Sequence, residues 1–192
     1  MPRIVPGSRR EVGIATAAFA RIAGVVARTE PPHVFLTLGR HRRLFRGWLC
    51  FAAMLMPGGR LRRRETEMVI VRVAARRGSG YELDQHRRLA QRAGLTPEQV
   101  EDLCGEDPAS ERGATPHRTD VVEGPWSGRD RAILVATDSL LDEGDLDDVT
   151  WSRLTAHLDE REVIELVMLV GPYDMLATTL RALRVQPDRP RR

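Results

Sequence analysis

Apolar and polar positions alternate with a helical period along nearly the whole chain. Val12, Ala15, Phe19, Ile22, Ala23 and Val26 recur at three- and four-residue steps and lay one apolar stripe along a helix. Glu30-Pro31-Pro32 breaks that run, because proline ends one helix and can open the next. From His33 to Met56 the residues Val34, Phe35, Leu38, Leu44, Phe45, Trp48, Phe51, Ala52 and Leu55 again fall at helical spacing, until Pro57-Gly58-Gly59 stops them. Met68 to Ala75 carries a β-branched run that suits a buried strand as well as a buried helix. No partner strand is evident nearby and the flanks are helical, so a helix buried on most sides is expected.

Arg77-Gly78-Ser79-Gly80 reads as a turn in which Ser79 caps the next helix, about Tyr81 to Ala93, itself ended by Gly94. Thr96-Pro97-Glu98-Gln99 opens a short helix with a cap, a proline at the first position and an acid near the positive end of the dipole. Residues 105–128 are rich in Gly, Pro, Asp, Ser and Arg without periodicity, as in a linker. Ile133, Ala136, Thr137, Leu140 and Leu141 mark a helix ending near Gly144, and Asp147 or Asp148 precedes a short helix around Trp151 to Leu158. Asp159 caps a long segment, Glu160 to Leu183, in which Pro172 predicts a kink or break. The expected architecture is all-α, one domain over 1–192, with helical halves at 8–104 and 129–185 joined by the loop.

Composition narrows the function classes. With 42% hydrophobic and 30% charged residues, 192 residues make an ordinary globular chain with a real core. No uninterrupted apolar run approaches the roughly 18 residues of a membrane span, and the opening segment lacks the apolar core of a secretory signal. Cys50 and Cys104 lie far apart and read as free, small buried hydrophobes, so a cytoplasmic protein is expected. All 30 basic residues other than histidine are arginine, but a net charge of +3 with acids interspersed argues against nucleic acid as a partner. The dense groups Arg60-Leu61-Arg62-Arg63-Arg64 and Arg189-Pro190-Arg191-Arg192 read as a solvated approach to a helix and a tail. His33, His41, His117 and His157 show no metal-ligand spacing, so no metal is expected. Trp48, Trp126 and Trp151 read as packing or interface anchors, and Tyr173, beside Pro172, as packing before lining a pocket between the two halves.

One constellation carries chemistry. Leu83, His86, Ala90 and Ala93 share a helix face, with Glu82 four residues before His86. If that helix packs antiparallel on the preceding one, Glu67 approaches His86, and a carboxylate beside a buried imidazole makes an acid–base pair. The bland alternative is a satisfied core histidine. Glu82 reads either as a second carboxylate acting on the histidine or as an acid favoured by the helix dipole. Tyr81 either offers its hydroxyl to a pocket or packs.

The segment from Glu67 through Ser79, Tyr81, Glu82, Gln85 and His86 to Gly94-Leu95-Thr96 resembles the core motif of the carboxymuconolactone decarboxylase / AhpD-like (alkylhydroperoxidase D-like) family. The resemblance extends to Leu44-Phe45-Arg46-Gly47-Trp48, Asp130-Arg131-Ala132, Thr150-Trp151 and Leu169-Val170-Gly171-Pro172-Tyr173. It implies an AhpD-like helical bundle of two related halves, a trimer or hexamer, and no cofactor; Phe35–Leu55 is the candidate interface segment. In the peroxidase branch the motif is glutamate, Cys-x-x-Cys-x-x-x-His; here Ser79 and Glu82 occupy the cysteine positions. A serine cannot form a disulfide, so the peroxidase cycle is not available, and Cys50 and Cys104 do not restore the pair. The decarboxylase branch implies His86 as proton donor with Glu67 orienting it, and Glu82, Tyr81 and Ser79 lining the site. Arg72, Arg76 or Arg87 would hold a substrate carboxylate, unless they are solvated or engaged in structural pairs. Three readings result: a cofactor-independent carboxy-lyase or related acid–base enzyme on a small carboxylate or lactone, a peroxidase without its cysteines, and a non-catalytic oligomeric binder of small molecules.

Overall fold

The computed structural model describes residues 1–56, 58–105 and 125–190, and every regular element among them is a helix. Most of the 105–128 linker, together with Pro57, His117, Arg191 and Arg192, lies outside the described residues. In chain order the helices are α1 (Arg9–Val12), α2 (Ile14–Ala27), α3 (His33–Leu38), α4 (Arg42–Leu55), α5 (Arg63–Arg76), α6 (Gly80–Arg92), α7 (Pro97–Cys104), α8 (Gly128–Asp142), α9 (Asp148–Thr155) and α10 (Glu160–Leu183). They form two compact units, Met1–Met54 with Thr179–Arg192 and Leu55–Thr178. The division does not follow the linker: α5 before it and α8 after it belong to the same unit and pack on each other.

In the first unit α2 turns its small stripe inward. Thr16, Ala20 and Gly24 are buried, whereas Phe19, Ile22 and Val26, expected to face the core, are exposed. Gly24 shows why, since a Cβ there would stand 2.8 Å from the Glu30 carbonyl oxygen. Only a side-chain-free surface admits that approach. The expected single helix over 33–56 is two, α3 and α4. At the break a Cβ on Gly39 would lie 2.7 Å from the Thr16 methyl. Phe35 meets Phe19 edge-on at 4.9 Å and leans on Phe45 and Trp48 at 6.1 and 6.4 Å. Phe45 and Leu55 are buried, while Leu44 and Met54 of the same helix point outward. The C-terminal residues return to this unit, where the His33 amide donates to Asp188 at 2.8 Å.

The second unit is built around α5. Its residues 65–74 are all buried, so the β-branched run is a helix enclosed on every side by α6, α7 and α8. The polar groups on it are paired in place: Arg129 of α8 bridges Glu65 at 2.7 Å and Glu162 of α10 at 2.8 Å. A left-handed Gly78 (φ 61°) ends α5, and the Ser79 amide donates back to Ala74 at 2.8 Å. Thr96 and Gln99 form the expected capping box of α7, Ser127 and Asp130 one for α8, and Asp147 caps α9. Trp126 is buried and donates to Asp102 at 2.6 Å, whereas Trp151 is exposed.

α10 continues through Pro172 as one helix, without the break expected there. By length and mean hydropathy (1.5) it could cross a membrane, yet its acids are tied within the unit. Glu165 accepts from the amides of Arg60 and Leu61 at 2.6 and 3.0 Å, and Asp174 pairs with Arg77 at 2.6 Å. The apolar stretch of α10 is 39% buried, and Ile164, Val167, Met168 and Met175 stand exposed along it.

Candidate functional site

The tight turn at 77–79 folds α6 back along α5, and this sets the first contact of the site. His86 Nδ1 lies 2.7 Å from Glu67 Oε2, with Glu67 wholly buried and the His86 side chain 12% exposed. The other oxygen of Glu67 pairs with Arg63, one turn earlier on α5. A carboxylate at this distance accepts the Nδ1 proton and leaves Nε2 on the opposite edge of the ring. α10 supplies the second contact: the Tyr173 ring stands edge-on to His86, with centroids 5.6 Å apart at 89°. The Tyr173 hydroxyl sits 3.9 Å from the Met56 sulfur, a weak contact. Burial pushes its phenol above the ordinary range, and the carboxylates of Glu67 and Glu82 push it further.

Glu82 is the anomalous group. It is 2% exposed, one turn before His86, and neither of its oxygens has a hydrogen-bond partner. Burial raises its carboxyl to about 7, opposed by Ser79 and His86 and assisted by Asp174. Ser79 is buried beside it, at the N-cap position of α6, but its hydroxyl does not cap the helix and is unpartnered. The serine is therefore near enough to draw the carboxyl down without reaching hydrogen-bond geometry. Two neighbouring residues thus hold unsatisfied buried polar atoms, an arrangement proteins rarely keep without use.

The structure brings together His86, Glu67, Glu82 and Ser79, while Tyr81 is buried in the first turn of α6. Arg72 belongs elsewhere. It is 1% exposed, its guanidinium grips Asp138 through two bonds of 2.8 Å, and a third goes to the Leu103 carbonyl at 3.2 Å. This corrects the expectation of a substrate anchor, since the fork is already filled. Arg76 is likewise paired with Asp142, and Arg87 has the thiol of Cys104 as its neighbour. Cys50 is exposed and Cys104 half-buried, so neither is the enclosed small hydrophobe expected; burial pushes the Cys104 thiol up. Among the described residues no group of His, Cys, Asp and Glu is arranged to hold a metal.

Two participants were only partly legible in the sequence. Arg63 was legible only as one of a solvated arginine group, although its four-residue offset from Glu67 is the helix-pair spacing. Tyr173 was read as packing first and as a pocket residue second, and it meets His86 from an α10 that continues through Pro172 as one helix.

Residues 42–123 match the model of the Carboxymuconolactone decarboxylase family. A peroxidase-related protein from Silicibacter sp. TM1040 superposes with a TM-score of 0.76 at 16% identity, covering 95% of this chain and 91% of its own. An alkylhydroperoxidase AhpD core protein, peroxidase-related, from Ralstonia eutropha JMP134 gives 0.77 at 15% identity, over 96% and 92%. The debrominase Bmp8 gives 0.72 at 14% identity, over 96% and 91%. At these identities the likeness is one of fold. No curated protein matches the sequence.

Proposed function

From the match of residues 42–123 to the Carboxymuconolactone decarboxylase family and the site described above, we propose that the chain is a cofactor-independent acid–base enzyme. Its reaction is of the decarboxylase or related lyase and isomerase kind, on a small carboxylate or lactone, with His86 as the group that moves the proton. The observation that carries this is the 2.7 Å contact from Glu67 to His86 with the unpartnered carboxyl of Glu82 one turn away.

Glu67, held by Arg63, fixes the imidazole through Nδ1 and stabilises the positive charge when Nε2 is protonated. In a decarboxylation the C–C bond to the carboxylate breaks, CO2 leaves, and the electron pair remains as a dienolate. Nε2–H then protonates carbon, and solvent restores the proton to the ring. In an isomerisation Nε2 removes a proton next to a carbonyl and returns it at a second carbon. Glu82 is poised near neutrality to share a proton with either species. Thiol-based peroxide reduction is disfavoured, since Ser79 and Glu82 provide no thiolate and no disulfide.

The protein is further proposed to work in the cytoplasm as a homo-oligomer, with the outward Ile14, Ile22, Val26 and Leu44 as apolar surface for that assembly. The test is a panel of small enol lactones and unsaturated carboxylates followed by NMR in D2O. Release of CO2 or deuterium incorporation that His86→Ala abolishes is expected; no His86-dependent reaction with any member would overturn the reading.

A further inference from the structure

We propose that Glu82 is the ligand-anchoring carboxyl of this site, and that it takes a small uncharged hydrogen-bond donor, such as a hydroxyl, enol or ring N–H, in preference to a carboxylate. The proposal rests on the reading of His86 as the proton-transferring group of a small-molecule site, and it narrows the substrate class of that reading.

Two observations carry it. The first is the orphaned polarity. Both oxygens of Glu82 and the hydroxyl of Ser79 are buried and unpartnered, side by side, next to the histidine. A buried carboxyl with no donor is costly, and a ligand hydroxyl or N–H placed between Glu82 and His86 would supply what the protein does not.

The second observation is the distribution of charge. Glu67, Glu82 and Asp174 all make themselves felt at this place: the first two act on Tyr173 and the third on Glu82. The arginines of α5 and its C-terminal turn are already engaged. Arg63 is held by Glu67, Arg64 by Asp130, Arg72 by Asp138, Arg76 by Asp142, and Arg77 by Asp174 together with the Leu141 carbonyl. A carboxylate entering beside Glu82 would therefore meet acids where each arginine of α5 already has an acid of its own, whereas a neutral donor meets acceptors.

The experiment uses the full chain, with phenol and benzoate as probes, because they share a ring and differ in donor hydroxyl against carboxylate. Each is titrated above neutrality while the His86 ring resonances are followed by NMR. Phenol is expected to shift them saturably, with benzoate at least tenfold weaker. Glu82→Gln keeps a hydrogen-bond acceptor but removes the charge, so it should raise the affinity for benzoate relative to phenol. Benzoate binding as tightly as phenol, or neither probe moving His86, would overturn the proposal in the wild-type protein alone, whatever the variant does. Because the readout is binding, the two ideas separate. Phenol binding in a protein that turns over no substrate overturns the chemistry and keeps this inference, and turnover of tightly bound carboxylates does the reverse.

Discussion

Glu67 and His86 are 19 positions apart in the chain, yet Oε2 of one lies 2.7 Å from Nδ1 of the other, on helices joined by a single left-handed glycine. The carboxylate has a fixed task in this arrangement: it selects which ring nitrogen carries the proton. Glu67→Gln presents an amide that can donate as well as accept, so both neutral tautomers of His86 become populated. Nitrogen-15 shifts of the ring should show the loss of a single tautomer, and turnover of a substrate found in the panel should fall by about 10²-fold or more. An unchanged tautomer balance would show that Glu67 does not orient the ring.

Glu82 should make stability depend on pH. Its folded-state carboxyl sits near 7 against an ordinary 4.5, so between those values the folded protein binds more protons than the unfolded chain. Stability therefore declines as pH rises from 4.5 through about 7, and the penalty is complete above it. Glu82→Gln removes the penalty. The variant should gain on the order of 3 kcal/mol over the wild type in mildly alkaline buffer and little or nothing in acid, measured by denaturant unfolding at the two pH values. Equal gains at both would assign the effect to packing instead.

Arg72 and Asp138 form a fully buried pair, and breaking one side leaves a charge without water or partner. Arg72→Met or Asp138→Leu alone should cost about 3–5 kcal/mol, and the double substitution should recover most of that loss. Equilibrium unfolding of the three variants tests it; additive losses would contradict a coupled pair.

Two glycines within helices should respond with opposite sign. Gly24→Ala brings a methyl 2.8 Å from the Glu30 carbonyl oxygen and should destabilise by about 1–3 kcal/mol. Gly47, in the middle of α4, has nothing within 4 Å of where a Cβ would sit. Gly47→Ala should stabilise by about 0.5–1 kcal/mol, since helix propensity is then the only term. Thermal melts of both variants decide it.

Thr96→Ala removes the hydroxyl that accepts from the Gln99 amide at 3.1 Å and opens the capping box of α7. A loss of about 1 kcal/mol is expected, readable as faster hydrogen exchange in the first turn of α7.

The sequence by itself determined the helical class and most of the element ends. Apolar spacing, prolines and side-chain caps such as Thr96 and Asp147 act within a few residues, and local rules describe them well. It also placed Glu67 and His86 on neighbouring helices, because a glycine turn between two helices leaves little choice but an antiparallel return. Tertiary structure alone decided the rest. Whether Arg72 would face a ligand or Asp138 depends on α8, some 66 residues away. The inward face of α2 was set by how closely Glu30 comes to Gly24, and no count of apolar residues records such an approach. Tyr173 meets His86 from an α10 that continues through its proline as one helix, and Glu82 lacks partners because of what its neighbours do not offer. Periodicity fixes which side of a helix is apolar; which side chains meet across helices, and which polar atoms are left over, is settled by packing at long sequence separation.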